Sequence, residues 1–168
     1  MFVKKDKNTR ATDLAFMGIM LAINQILLYF GGMTNFNETF FLCGASLIIG
    51  IVVVEKGIKN GTVFYISSSM MAAVLMPNKL TAVGYIFILG LYTIIKYYIE
   101  KLENQKKEWI FKAVYFIMIS IITAFLSREI FGQNIVIFII PMVIGIMVVY
   151  DYAVSVLLSA YMKKFNRL

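Results

Sequence analysis

Asp151 is the only acidic side chain well inside an apolar segment of this sequence, about eleven residues, or roughly 16 Å of helix, before the basic carboxyl end. An ionisable group at such depth is expected to be neutralised, paired or functional, because an isolated charge is costly away from water. With Tyr150 and Tyr152 beside it, two interpretations stay open. Asp151 has either a hydrogen-bonded structural role or a role in handling a proton or a substrate.

A second group of polar residues could bind a small solute. Most of them stand in short polar stretches between apolar runs, and two lie inside the first apolar run. If they meet at one membrane face, apolar walls would exclude water while a few polar groups fix the orientation of a small polar or zwitterionic molecule. The competing interpretation is solvated loop residues, with Lys79 as an interfacial anchor. The predicted substrate-binding residues are Asn24, Gln25, Glu38, Lys79, Arg128 and Asn134.

Small residues recur at helical spacing near the amino end, as Ala11, Ala15, Gly18 and Ala22. Small side chains at this interval let two helix backbones approach closely, which is how helices associate where the hydrophobic effect cannot act. They predict either packing within the protein or a docking face for another membrane subunit.

Enzyme chemistry has few candidates in this sequence. It contains no histidine, the commonest general base and metal ligand, and a single cysteine, Cys43. Ser67, Ser68 and Ser69 are better explained by helix packing than as nucleophiles, because no base accompanies them. No nucleotide-binding glycine loop is present. We therefore expect a protein that is not an enzyme, with no metal site and no cofactor.

Composition indicates the environment of the chain. Of its 168 residues 61% are hydrophobic and 15% are charged, and the mean hydropathy is +0.83. A soluble fold could not hide so much apolar surface. The net charge of +7 comes from basic clusters at the ends of apolar runs, and nucleic-acid binding needs a continuous basic face instead. We predict a multi-pass protein of the cell membrane, with the lipid bilayer as a partner and no nucleic acid.

Six spans of about 20 residues would use nearly the whole chain. The apolar runs are solid, whereas the strands of a membrane barrel alternate in polarity. The predicted fold class is therefore all-α, a polytopic six-helix transmembrane bundle forming a single domain over 1–168. The predicted helices cover 14–31, 39–54, 61–76, 81–99, 109–126 and 134–162.

Lysine and arginine predict the orientation, because basic residues near helix ends are retained in the cytoplasm. With the amino end inside, fourteen basic residues fall inside and only Lys79 and Arg128 outside, which places both termini in the cytoplasm. Lys96 and Lys112 are expected to snorkel to the inner interface. The last apolar segment predicts one long helix kinked at Pro141, with 130–136 lying across the outer face.

The opening Asn8-Thr9-Arg10-Ala11 to Ala15, followed by Gly18 and Ala22, resembles the first helix of the substrate-binding S subunits of energy-coupling-factor vitamin transporters. The stretch 47–77, with Glu55, Gly57 and Gly61 between helices 2 and 3, is similar to the glycine-bearing inner turn of that family. The resemblance implies a subunit that captures a vitamin or micronutrient outside and topples in the membrane when docked to a transmembrane coupling subunit carrying two ATPases. Energy would come from those partners.

Segments 65–79 and 150–152 are also similar to small uncharacterised membrane proteins of low-GC Gram-positive bacteria with the S-subunit layout. Two other classes stay open. One is a non-transporting scaffold of the rod-shape-determining type, which has a similar size and helix number. The other is a small proton-coupled channel that uses Asp151.

Overall fold

The computed structural model describes residues 7–34, 37–101, 105–131 and 136–164, with side chains described over 11–34, 37–101, 105–124 and 140–164. Every element in these ranges is helical, which confirms the all-α prediction for this part of the chain. The elements are α1 Lys7–Met33, α2 Glu38–Leu75, α3 Lys79–Gly84, a π-helix Tyr85–Gly90, α4 Leu91–Glu100, α5 Gln105–Phe131 and α6 Val136–Lys164.

Within the described residues, four helical stretches are long and apolar enough to cross a bilayer. They are Ala11–Met33, Glu38–Leu75, Lys79–Glu100 and Ile140–Lys164. Large apolar side chains such as Phe40 and Val74 are exposed on their outer faces, where lipid suits them better than water. These helices point to contact with a lipid bilayer and to a membrane location.

Backbone contacts divide the chain into two compact units, Met1–Ile94 and Ile95–Leu168. The first unit contains α1, α2, α3 and the π-helix, and the second is dominated by α5 and α6. The prediction of a single membrane domain stays a prediction.

Gly57 turns α2 back on itself. Its φ of 82° and ψ of 165° are non-helical and belong to a region that essentially only glycine adopts. A Cβ added at Gly61 would lie 3.2 Å from the Cα of Val53 and would collide with the Val53 side chain. Eight residues of straight helix would separate these positions by about 12 Å. The arms 38–56 and 58–75 are therefore the two halves of a helical hairpin.

A π-helix interrupts the stretch between α3 and α4. The Tyr65 hydroxyl donates to the Ile86 carbonyl oxygen of the π-helix at 2.8 Å. A Cβ at Gly90 would lie 2.9 Å from the Tyr65 ring. The glycine thus lets the second arm of α2 pack closely against the π-helix.

In the second unit α5 and α6 run antiparallel. Lys112, near the start of α5, contacts Asp151 in the later half of α6, which is the pairing of a hairpin. The prediction that 130–136 lies across the outer face stays a prediction: α5 continues to Phe131, and 132–135 lie outside the described residues. Pro141 lies inside α6, which continues through it.

Candidate functional site

A cluster of uncharged polar side chains lies at the centre of the first unit. Asn24 is fully buried in α1, and its amide nitrogen donates to the Ala45 carbonyl oxygen at 2.7 Å and to the Tyr85 hydroxyl at 3.1 Å. Ser68 donates to the Asn24 carbonyl oxygen at 2.7 Å. These contacts connect both arms of α2, α1 and the π-helix. We call Asn24, Gln25, Ser68 and Tyr85 the polar cluster.

The polar cluster contains a closed ring of hydrogen bonds. Ser68 has one hydroxyl hydrogen, which it gives to Asn24, so the 2.6 Å contact between Ser68 Oγ and the Tyr85 hydroxyl must be donated by Tyr85. Asn24 in turn donates to Tyr85. Gln25 adds bonds to the Asn24 oxygen and the Ser68 carbonyl oxygen, each at 3.1 Å. The ring contains no charge and suits either a rigid core or neutral hydrogen-bonding solutes.

Glu38, Thr81, Asn78 and Lys79 meet at one end of the first unit. Glu38, at the start of α2, accepts a hydrogen bond from the Thr81 hydroxyl. Asn78 caps α3 by accepting from the backbone amides of Leu80 at 3.0 Å and Thr81 at 3.4 Å. The Lys79 ammonium donates to the carbonyl oxygens of Ala73 at 2.9 Å and Val74 at 3.1 Å, which caps α2. We call this the Glu38 end.

The structure brings the predicted substrate-binding residues together only in pairs. Asn24 and Gln25 belong to the polar cluster, while Glu38 and Lys79 lie at the Glu38 end and stabilise helix termini or helix contacts. Arg128 falls within α5, but its side chain lies outside the described residues. Asn134 also lies outside the described residues. The set as a whole stays a prediction.

The small residues of α1 form an exposed stripe. Ala11, Ala15, Gly18 and Ala22 are all exposed, and a Cβ added at Gly18 would meet nothing within 4 Å. At 100° per residue they lie on one side of α1, and the buried Asn24 lies on the other. We call them the small-residue face. Both alternatives left by the sequence, packing within the protein and a docking face for another membrane subunit, stay open.

An ion pair joins the amino-terminal part of α1 to α2. Lys56, the last residue before Gly57, lies 2.7 Å from the Asp13 carboxylate and 5.1 Å from the centre of the Phe16 ring. Asp13 is buried, so the pairing offsets the cost of removing its charge from water. This contact ties the turn of the α2 hairpin to α1.

Asp151 is paired in the second unit with two lysines. Lys96 contacts one carboxylate oxygen of Asp151, and Lys112 lies 2.9 Å from the other. The Lys96 ammonium also contacts Ser155 Oγ at 2.7 Å and Glu100 at 3.0 Å, while Lys112 contacts Glu108 at 2.7 Å. We call Lys96, Glu100, Glu108, Lys112 and Asp151 the charge network. Its charges alternate in sign from Glu100 to Glu108.

Sequence reasoning missed the partners in both clusters. Lys96 and Lys112 were expected at the inner interface, yet they are only 2% and 6% exposed and point to Asp151. A signal was present, since each stands four residues from a glutamate on its own helix, Glu100 and Glu108. Ser68 and Tyr85 carried no such signal. Their contact with Asn24 depends on the Gly57 hairpin and the π-helix.

Comparison with known proteins identified no relative of this chain. No protein-family model, no curated protein and no solved structure matches this chain. What the described residues define is a class: an all-helical protein with helices apolar and long enough for a bilayer, a neutral polar cluster in one unit and a charge network in the other.

Proposed function

We propose that the protein is an integral membrane protein of six spans with both termini in the cytoplasm. The α2 hairpin supports this count, because each arm of about 18 residues spans roughly 27 Å, close to the hydrocarbon thickness of a bilayer. A straight helix of 38 residues would be about 57 Å long and would not fit. The positive-inside distribution supports the orientation, with the Gly57 turn on the cytoplasmic side and Lys79 outside.

We further propose that it serves as the substrate-binding subunit of an uptake transporter of the energy-coupling-factor type, for a vitamin or other micronutrient. One observation carries this proposal. In the part of the chain that the structure describes, the four residues of the small-residue face are exposed, and a Cβ added at Gly18 would meet nothing within 4 Å. Lipid tails gain little from a stripe of alanine and glycine, whereas another helix can approach it closely. The partner would be a transmembrane coupling subunit with two ATPases.

The polar cluster would hold the ligand under this proposal. It lies in a mostly apolar unit, and its amides and hydroxyls can exchange their mutual hydrogen bonds for bonds to a neutral ligand of similar polarity. Because no charged side chain belongs to the cluster, it favours uncharged heteroatom-bearing solutes over ions. The chain performs no chemical step, and ATP hydrolysis by the partners would supply the energy.

A non-transporting scaffold is the second candidate. The closed ring of the polar cluster favours it, since a saturated network rigidifies a core without a ligand. A proton-coupled channel is disfavoured by the pairing of Asp151 with two lysines, because both of its carboxylate oxygens already contact an ammonium group.

The test is purification of a tagged protein from its own cells with Ala15→Leu and Gly18→Leu on the small-residue face. The unmodified chain is expected to carry with it a membrane protein and two ATP-binding proteins, and the double variant is expected to lose them because the helices can no longer approach. Native mass spectrometry of the same sample should show a vitamin-sized ligand.

The matched control is Val63→Leu, which adds apolar volume at another exposed position of the same unit. It should retain the partners. Equal partner recovery from the double variant, together with no bound ligand in the unmodified chain, would overturn the transport proposal and favour the scaffold.

A further inference from the structure

The Tyr85 hydroxyl occupies a position that suits one kind of chemical group. It accepts a hydrogen bond from the Asn24 amide at 3.1 Å and donates one to Ser68 Oγ at 2.6 Å. The other amide hydrogen of Asn24 goes to the Ala45 carbonyl oxygen, and the Ser68 hydrogen goes to the Asn24 oxygen. Without the Tyr85 hydroxyl, Asn24 and Ser68 would therefore present one donor and one acceptor next to each other.

That donor and acceptor select the group that binds between them. A hydroxyl both accepts and donates, whereas an ether oxygen only accepts. Gln25 adds no competing donor, because its amide nitrogen already donates to the Asn24 oxygen and to the Ser68 carbonyl oxygen. No charged side chain belongs to the polar cluster, so an ionised group would lose its hydration there without compensation. The pair is thus complementary to an uncharged hydroxyl.

The Tyr85 ring defines the shape of the space behind that pair. The side chain is fully buried and belongs to the first residue of the π-helix. Its withdrawal would leave a space of the size and shape of a phenol in a close-packed interior. An aromatic ring that carries a hydroxyl fits the same space.

The backbone at Tyr85 allows the side chain to be withdrawn without unfolding. Conversion of the π turn to α-helix shifts its hydrogen bonds by one residue, which rotates the residues before the turn by about 100° relative to those after it. Thr81 lies one helical turn before Tyr85, whose amide donates to the Thr81 carbonyl oxygen, and both side chains are buried. The rotation would withdraw the two side chains together and break the hydrogen bond from Thr81 to Glu38.

We propose that Tyr85 and the transported solute compete for one site, and that the solute is an uncharged aromatic compound whose hydroxyl replaces that of Tyr85 between Asn24 and Ser68. The hydrogen bond from Thr81 to Glu38 favours the state in which Tyr85 occupies the site. This proposal rests on the proposed ligand-binding role of the polar cluster.

The test is binding of para-fluorophenol to the purified full chain in detergent micelles, followed by the fluorine NMR signal of the bound probe. The paired probe is para-fluoroanisole, which cannot donate a hydrogen bond and should bind roughly tenfold more weakly. Tyr85→Phe should bind para-fluorophenol about tenfold more tightly than the unmodified chain, because the competing ring has lost its two hydrogen bonds. A side chain that contacts the ligand would give the opposite sign, since its loss weakens binding.

Matched variants separate competition from a general effect on the fold. Tyr29→Phe removes a hydroxyl from an exposed tyrosine of the same unit and should leave the affinity unchanged. Thr81→Ala removes the bond to Glu38 and should tighten the binding of para-fluorophenol severalfold. Thr34→Ala, which removes a bond to the Phe30 carbonyl oxygen, is its control and should have no effect.

Weaker or unchanged binding by Tyr85→Phe, equal affinity for the two probes, or no bound signal with either probe would overturn the proposal. Recovery of the coupling partners together with no bound probe would overturn it and leave the transport proposal intact. Binding with the expected preferences but without partners would support the ligand class and count against transport. The helical content of Tyr85→Phe and Thr81→Ala should match that of the unmodified chain.

Discussion

Lys112 donates to Oδ2 of Asp151 at 2.9 Å, which joins α5 to α6 through a buried ion pair. An ammonium in an apolar environment has lost favourable hydration and is stable there only when oppositely charged or strongly polar groups replace the water. Asp151 provides that compensation for Lys96 as well. One carboxylate therefore controls the stability of two buried cations.

Asp151→Asn should destabilise the protein by about 3 kcal/mol or more, because two buried ammoniums lose their shared carboxylate. The free energy of unfolding in detergent micelles is the measurement. Adding Lys112→Met to Asp151→Asn should recover part of the loss, since it removes a buried ammonium that would keep only Glu108 as a charged partner. Glu100→Gln is the control and should cost less than about 1 kcal/mol, because the Glu100 side chain is 46% exposed. Wild-type stability of Asp151→Asn would contradict the account of the charge network.

Asn24→Ala should cost about 2 kcal/mol, because it leaves polar groups of Ala45, Ser68 and Tyr85 without their partner. Tyr85→Phe removes a single hydroxyl from the ring and should cost about half as much. The same unfolding measurement applies. Thr34→Ala breaks an exposed bond to the Phe30 carbonyl oxygen and should change stability by less than about 0.5 kcal/mol. Equal effects at positions 24 and 34 would show that the ring contributes nothing to stability.

Gly57→Ala should destabilise the α2 hairpin by about 1–3 kcal/mol, since a Cβ is strained at a φ of 82° and a ψ of 165°. Gly145→Ala is the matched control in α6. A Cβ there would meet nothing within 4 Å and the backbone is helical, so the change should be neutral or stabilising by up to about 1 kcal/mol. If Gly57→Ala changes the stability no more than Gly145→Ala does, the result would argue against the turn at Gly57.

Topology labelling tests the proposed six spans. In a Cys43→Ala background, Lys79→Cys should react with an impermeant maleimide added to intact cells. Lys59→Cys, next to the hairpin turn, and Lys164→Cys, at the end of α6, should react only after permeabilisation. Labelling of positions 79 and 164 from the same side would contradict both the orientation and the proposed capture of a ligand from outside.

Much of the helical layout follows from local patterns. The predicted helix over 14–31 lies within α1, which begins seven residues earlier, and that over 81–99 lies within the stretch from α3 to α4, because apolar runs bounded by polar residues are a local signal. No local pattern in the sequence predicted the π-helix. The wider helical turn requires no particular residue type, and Gly90 of the π-helix packs against Tyr65, which is distant in sequence.

The candidate sites were less predictable. Asp151 stood out because its charge is exceptional in an apolar run, but its partners are 55 and 39 residues away along the chain. Asn24 and Gln25 were identified by polarity alone. Neither periodicity nor spacing could assign Lys79 to capping carbonyl oxygens, because capping depends on the direction in which one flexible side chain points.

The sequence by itself determined that the chain is helical and suited to hydrocarbon, because apolarity and its interruptions are properties of consecutive residues. The tertiary structure decided which polar groups meet. It closed a neutral ring around Asn24, paired Glu100 and Glu108 with the buried Lys96 and Lys112, and left the small-residue face of α1 exposed. The physical reason is that buried polar groups must find partners, and partners distant in sequence are brought within reach only when the helices pack.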